Sequence, residues 1–201
     1  MTGSSTGKLI ALRRVQGRPR EMSDEALIAA CAVGESAALG ALFDRHHRCV
    51  YRFLSRLATT NADDIDDLVQ TTFLEVWRSA QRYRSKGAVR SWIFGIAANV
   101  ARHYVRSEMR RRNAHAGFAE RPASVQSTPG DLAERRELVD QLGTALRALS
   151  HDLRVAFVMC DLEGVPGVEA ARSVGVRQGT MWRRLHDARK ALREVLDGSS
   201  A

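Results

Sequence analysis

The segment Asp161–Leu185, DLEGVPGVEAARSVGVRQGTMWRRL, constrains the fold of this chain more than any other. It has the layout of a helix-turn-helix. A short helix ends at Gly175, a tight turn follows, and a basic amphipathic helix begins near Gln178. Ala171, four residues before the glycine, lets two helices approach closely, and Gly175 permits the left-handed backbone of the turn. Val174, Val176, Met181 and Leu185 are spaced to pack inward, whereas Arg177, Gln178, Arg183 and Arg184 are expected outside. Such a helix can enter a DNA major groove, where arginine reads guanine edges bidentately. The same pattern also suits a surface helix beside a glycine turn in any all-helical protein.

Upstream, helical periodicity dominates. Ser23 with Asp24 and Glu25 offers a helix start, a cap followed by acids in the first turn. Apolar residues recur at helical spacing through Leu39, Leu42, Phe43, Val50, Phe53, Leu54 and Leu57. Asn61 opens a further helix whose stripe is Ile65, Leu68, Val69, Phe73, Val76, Trp77 and Ala80, broken at Ser85-Lys86-Gly87. Another helix, or a bent pair, is expected over 88–112. Periodicity stops at 113–130, where Pro122 and Pro129-Gly130 point to a linker. Asp131 then caps a helix reaching about Leu149, followed by helices near 151–161, 167–174 and 178–196. No strand-like alternation appears. The expected fold class is all-α: a flexible basic tail (1–22), a helical domain (23–112), a flexible linker (113–130) and a second small helical domain (131–201) carrying the helix-turn-helix.

The 201 residues carry a net charge of +8, which points to nucleic acid, an anionic membrane surface or an acidic protein partner. No apolar run approaches the roughly 18 residues of a membrane span. The short block Leu9–Leu12 is too brief for a signal-peptide core, so the expectation is a cytoplasmic chain without membrane insertion. Three separated cysteines with no CxxC read as reduced thiols on helices. His46, His47 and Cys49 crowd one helix and cannot close a zinc shell, so no metal and no cofactor are expected.

Two segments could carry function. Asp63, Asp64, Asp66 and Asp67 concentrate acid in a basic protein, and Asp63, Asp67, Gln70 and Thr71 share an outward helical face. The acids either complement a helix N-terminus or form a patch for a basic partner protein. From Arg82 to Arg112 the charge reverses. Asn99, His103, Arg106 and Arg110 line one helical face with Arg102 beside them, and Trp92, Phe94 and Tyr104 are interleaved. Cations with aromatics suit single-stranded or melted nucleic acid, because rings stack on bases while cations hold phosphates. The alternative is a solvated basic face over core aromatics, and Trp92 fits the core better. No phosphate-cradling glycine loop, HExxH or GxSxG is present, so an enzyme is not expected.

DDIDDLVQTTFLEVW, WIFGIAANVARHYVR and LEG…GVRQGTMWRRLHDARKAL occur in that order. In this the chain resembles an extracytoplasmic-function (ECF) sigma factor of bacterial RNA polymerase, over about 24–196. The resemblance implies two helical domains, sigma domains 2 and 4. The first would bind the clamp helices of core polymerase and melt the −10 element. The second would read the −35 element and contact the flap. It places Asp63, Asp64, Asp67, Gln70 and Thr71 toward polymerase and Asn99, Arg102, His103, Arg106 and Arg110 toward the −10 element. Arg177, Gln178, Thr180, Arg183 and Arg184 fall toward the −35 element. It also implies promoter DNA and an anti-sigma factor as partners. Thr71 stands where the family usually has an acid, His103 where Asp or Asn is common, and Arg177 where a serine cap is usual. Pro166-Gly167 and Trp182 also depart from the pattern, Trp182 standing where Lys is usual. The rivals are a stand-alone helix-turn-helix regulator and a helical adaptor that binds only proteins. A simple repressor needs neither the acidic helix nor the basic aromatic one.

Overall fold

The computed structural model describes residues 21–58, 60–84, 87–114 and 133–198. The expected tail up to residue 20, and the expected linker over 115–130 with its following cap Asp131, lie outside them. Every regular element among the described residues is helical.

Helix α1 (Asp24–Ala32) starts where Ser23 Oγ accepts the Ala26 amide at 3.2 Å, with Asp24 and Glu25 at the positive end of the helix dipole. It ends at Gly34, whose φ of +92° favours glycine. Helix α2 (Ser36–Leu57) buries Leu42, Val50, Phe53, Leu54 and Leu57 along the expected stripe. Helix α3 (Ala62–Ser79) is capped by Asn61, whose Oδ1 accepts the Asp64 amide at 2.8 Å, and passes into a 3-10 turn at Ala80–Arg82. Helix α4 (Val89–Ala114) is a single helix, settling the choice between one helix and a bent pair. Its Phe94 stacks on Phe53 of α2 with centroids 4.6 Å apart.

The second group comprises α5 (Ala133–Ala148), α6 (His151–Phe157), α7 (Gly167–Ser173) and α8 (Gln178–Gly198). The helix expected over 151–161 widens into a π turn at Val158–Leu162 before Glu163. Between α7 and α8 the Val176 amide reaches the Ala171 carbonyl at 2.9 Å and the Gly175 amide reaches Arg172 at 3.3 Å. With Gly175 at φ +74° this is a Schellman termination, so the expected turn forms by a defined hydrogen-bond pattern.

The two groups are docked. Gly95 of α4 lies against the α7 backbone so closely that a Cβ there would come 2.2 Å from the Ser173 carbonyl oxygen. The buried Arg154 donates to the Leu57 carbonyl at the end of α2 (2.7 Å) and to Arg147 (2.9 Å) and Leu149 (3.0 Å) at the end of α5. One cation thus satisfies carbonyls that two helix ends leave open. His151 Nε2 lies 3.1 Å from the Ala98 carbonyl, as donor in the neutral ring, while its Nδ1 is buried without a partner.

Burial holds the His151 pKa down to about 4, aided by the Arg102 charge, although the bond to Ala98 opposes the shift. The unfolded imidazole takes a proton near 6.5, while the folded one resists until about 4. This contribution is therefore full above about pH 6.5 and declines as pH falls toward 4. Going from pH 7 to 5 should cost on the order of 1–2 kcal/mol, or roughly 2–6 °C in melting temperature. His151→Gln keeps a donor for Ala98 without the titration and should remove that part of the acid sensitivity. Equal pH slopes for both proteins would exclude His151 as the cause.

Candidate functional site

Three surfaces follow from the helices. On α3, Asp63, Asp67, Gln70 and Thr71 are exposed along one stripe, as expected from their spacing. Leu74, 52% exposed, extends that stripe with an apolar side chain, and Phe43 of α2 is also exposed beside Phe73. Sequence reasoning missed Leu74. The only signal was its place one turn beyond Gln70. Asp64 differs from its neighbours. Its carboxylate accepts from Tyr104 Oη at 2.8 Å and from Thr60 Oγ1, so it ties the start of α3 to α4. The hydrogen bonds from Thr60 and then Tyr104 hold its carboxyl below the usual range.

On α4, Asn99, His103, Arg106 and Arg110 are exposed and share one face. Arg102 is turned aside, its Nη2 3.0 Å from Asp152 Oδ1. The aromatic residues between these cations do not form a base-stacking platform. Phe94 is fully buried, Tyr104 is engaged with Asp64, and Trp92 is half-buried 4.9 Å from Tyr83. The core reading favoured for Trp92 holds for Phe94 as well, which lies on the buried side of α4 with Ala97, Ala98 and Ala101 and stacks on Phe53.

On α8, Arg177, Gln178, Thr180 and Arg183 are exposed around the first turn. The Thr180 and Met181 amides donate to the Arg177 carbonyl at 2.9 and 3.1 Å, so the helix begins without a serine cap. Arg184, expected outside, is half-buried. Its Nη2 lies 2.5 Å from Asp152 Oδ2, because position 184 lies toward the edge of the face that buries Met181, Leu185 and Ala188. Trp182 is 48% exposed and lies over the start of α7, where a Cβ on Gly167 would come 3.0 Å from its ring. The two departures from the expected pattern, Gly167 and Trp182, thus fit each other.

A fourth cluster had no sequence signal, since its members are far apart in the chain. Glu163, after the π turn, has a side chain only 1% exposed. Its Oε1 accepts from Arg52 Nε at 3.2 Å and Arg56 Nη1 at 2.7 Å. Its Oε2 accepts from Arg52 Nη2 at 3.2 Å and Arg90 Nη2 at 2.5 Å. Burial alone would raise this carboxyl, but the bonds and charges of Arg52, Arg90 and Arg56 outweigh it and lower the pKa. The potential metal ligands singled out in the sequence are locally engaged: His46 with Asp24 at 2.8 Å, His47 with the Phe43 carbonyl at 3.0 Å, Cys49 with the His46 carbonyl at 3.0 Å. Among the described residues no helix is long and apolar enough to cross a membrane.

Comparison with known proteins places these surfaces in context. Residues 42–111 match the family model for sigma-70 region 2, and residues 140–192 match that for sigma-70 region 4. The ECF RNA polymerase sigma factor SigM of Mycobacterium tuberculosis is 33% identical over 183 residues, covering 90% of this chain and 88% of that protein. The solved structure of CnrH in complex with the cytosolic domain of CnrY is similar, with a TM-score of 0.64, 26% identity, and coverage of 87% of this chain and 97% of that one. The sigma factor RpoE in complex with the anti-sigma factor NepR, from Bartonella quintana, matches with a TM-score of 0.62, 26% identity, and coverage of 77% and 94%.

The local geometry separates two acids three residues apart on α3. Asp64→Asn leaves the Thr60 and Tyr104 hydroxyls with a weaker acceptor and should cost about 1 kcal/mol in thermal unfolding. Asp67→Asn, exposed, should stay within about 0.5 kcal/mol of wild type. The reverse order would exclude a structural role for Asp64.

Proposed function

The chain belongs to the ECF RNA polymerase sigma factors, and on that premise we propose how its surfaces share the work of directing core polymerase to a promoter set. Residues 23–112 act as sigma domain 2 and residues 131–201 as sigma domain 4. The exposed α3 stripe of Asp63, Asp67, Gln70 and Thr71, with Leu74 at its end, docks on the polymerase clamp helices. Asp64 supports that surface from within. The α4 stripe of Asn99, His103, Arg106 and Arg110 meets the −10 element, and melting is driven by contacts available only to unpaired bases. Arg177, Gln178, Thr180 and Arg183 meet the −35 element. The chain supplies binding energy and no catalytic group. The solved complexes of CnrH with CnrY and of RpoE with NepR motivate a dedicated anti-sigma partner for this chain as well.

The observation that carries this reading is the exposure of all three stripes, on α3, on α4 and at the start of α8; the sharing of Asp152 by Arg102 of α4 and Arg184 of α8 adds a constraint. The −35 and −10 elements lie roughly 25 base pairs apart, or about 85 Å at ~3.4 Å per pair. Helices joined through one carboxylate cannot occupy both elements. The docked arrangement is therefore the resting form, and promoter binding separates the groups and frees both arginines.

The reading is tested by adding the purified chain to core polymerase on a matched promoter. Specific transcripts should appear, and thymines of the −10 element should become permanganate-reactive. Asn99→Ala with His103→Ala should reduce that reactivity several-fold while closed-complex binding falls much less. Full melting by the double variant would remove α4 from the −10 element.

For the −35 element, Arg183→Ala should flatten discrimination among −35 variants by about 1–3 kcal/mol, the worth of a bidentate arginine–guanine pair. Arg177→Ala should instead weaken all sequences alike and lower the salt slope by about one ion. If Arg177→Ala relaxes sequence preference and Arg183→Ala only lowers the slope, the roles are reversed.

A further inference from the structure

Arg52, Arg56 and Arg90 belong to none of the three surfaces above, yet they converge on one point. Arg52 presents its Nε and Nη2 as a fork, one nitrogen to each Glu163 oxygen, both at 3.2 Å. Arg56 and Arg90 close from either side at 2.7 and 2.5 Å. The three cations are carried by α2 and α4, whereas the carboxylate comes from the other group of helices. Arg90 also touches its own group: its guanidinium lies 5.0 Å from the centre of the Phe94 ring.

Glu163 is not the only carboxylate aimed across the junction. Asp152 takes Arg102, and Glu169 Oε2 accepts from Ser91 Oγ at 2.9 Å and approaches the Ala88 amide at 3.4 Å. Three acids of the second group thus lie along α4, two of them on its cations. When the groups separate, Arg52, Arg56 and Arg90 face one another with no anion between them. Neighbouring like charges repel, and a fork of guanidinium donors matches two oxygens of one anion. A phosphodiester offers two non-bridging oxygens and one negative charge, the same donor demand that Glu163 meets.

We propose that Arg52, Arg56 and Arg90 form a phosphate site for the promoter DNA backbone, which Glu163 occupies in the resting form as an internal substitute. DNA and the second group of helices compete for this site. Opening is thereby coupled to the presence of DNA, and the free chain has a low affinity for non-promoter sequence. The inference rests on the assignment of the first group to DNA binding, but on different residues from the α4 stripe.

The test is binding of a fluorescent promoter duplex to the full chain, and to its complex with core polymerase, across salt concentrations. For the free chain, Glu163→Gln removes the competing charge and should tighten binding about tenfold. Adding Arg52→Ala to Glu163→Gln should lower the salt slope by about one ion, since each neutralised phosphate contributes about 0.9. Arg56 and Arg90 still meet Glu163 when Arg52 is removed, so Arg52→Ala alone, checked for an unchanged helical spectrum, should lower the slope of the polymerase complex by the same amount. If Glu163→Gln tightens binding and Arg52→Ala leaves both slopes unchanged, the arginines are only a latch, and the proposal is overturned. Unchanged DNA binding by Glu163→Gln also overturns it. So does stabilisation of Glu163→Gln against heat by inorganic phosphate without any change in DNA slope, which would indicate a free-phosphate site. Loss of core polymerase binding by Arg52→Ala, with the DNA slope intact, would assign the cluster to an acidic protein surface instead. Permanganate reactivity with Asn99 and His103 replaced reports separately on the α4 stripe, so failure there is distinguishable from failure here.

Discussion

The docked arrangement depends on a carboxylate that could not be buried alone. Taking Glu163 out of water costs about several kcal/mol unless its charge and lone pairs are met. Arg52, Arg56 and Arg90 meet them, and all three come from the other group of helices. Such a cluster need not add much net stability, because the desolvation cost offsets most of the attraction. Its effect is on specificity. A register that kept Glu163 buried but away from these arginines would leave its charge unpaired. The π turn at Val158–Leu162 immediately precedes Glu163, so a local irregularity of the helix leads directly to the contact that defines the junction.

Helix α4 reconciles two demands. One side must be small and apolar, with Ile93, Ala97, Ala98 and Ala101 buried and Gly95 free of a Cβ so that α7 can approach. The opposite side must remain polar and cationic. The junction with the second group runs between them, which is why Arg102 is paired while Asn99, His103, Arg106 and Arg110 are exposed. In a sigma factor this division has a direct consequence. On the proposed assignment, the docked form leaves much of the α4 stripe accessible but keeps the two groups from reaching two promoter elements together.

Much of the candidate site was legible along the chain. The α3 and α4 stripes follow from a 3.6-residue period, and the helix-turn-helix follows from Ala171, Gly175 and the basic helix after them. The structure adds to the sequence where a side chain's direction depends on a distant partner. Asp64 and Asp67 have the same chemistry, but only Asp64 meets Tyr104, forty residues away. Arg183 and Arg184 are adjacent, but only Arg184 reaches Asp152. Phe94 lies among cations along the chain, but Phe53 stacks on it in the core.

The sequence by itself determined the helical class, the positions of most helices, the glycine termination at Gly175 and the family of the chain. All of these rest on local backbone preference, on period, or on motifs read within one segment. Only the tertiary structure decided which charges pair across the junction. Arg52, Arg56, Arg90 and Glu163 are separated by up to 111 residues, and no spacing rule links them. Their meeting depends on how α4 and α7 pack at Gly95 and on the burial of one carboxylate, both of which are properties of the assembled core rather than of any segment.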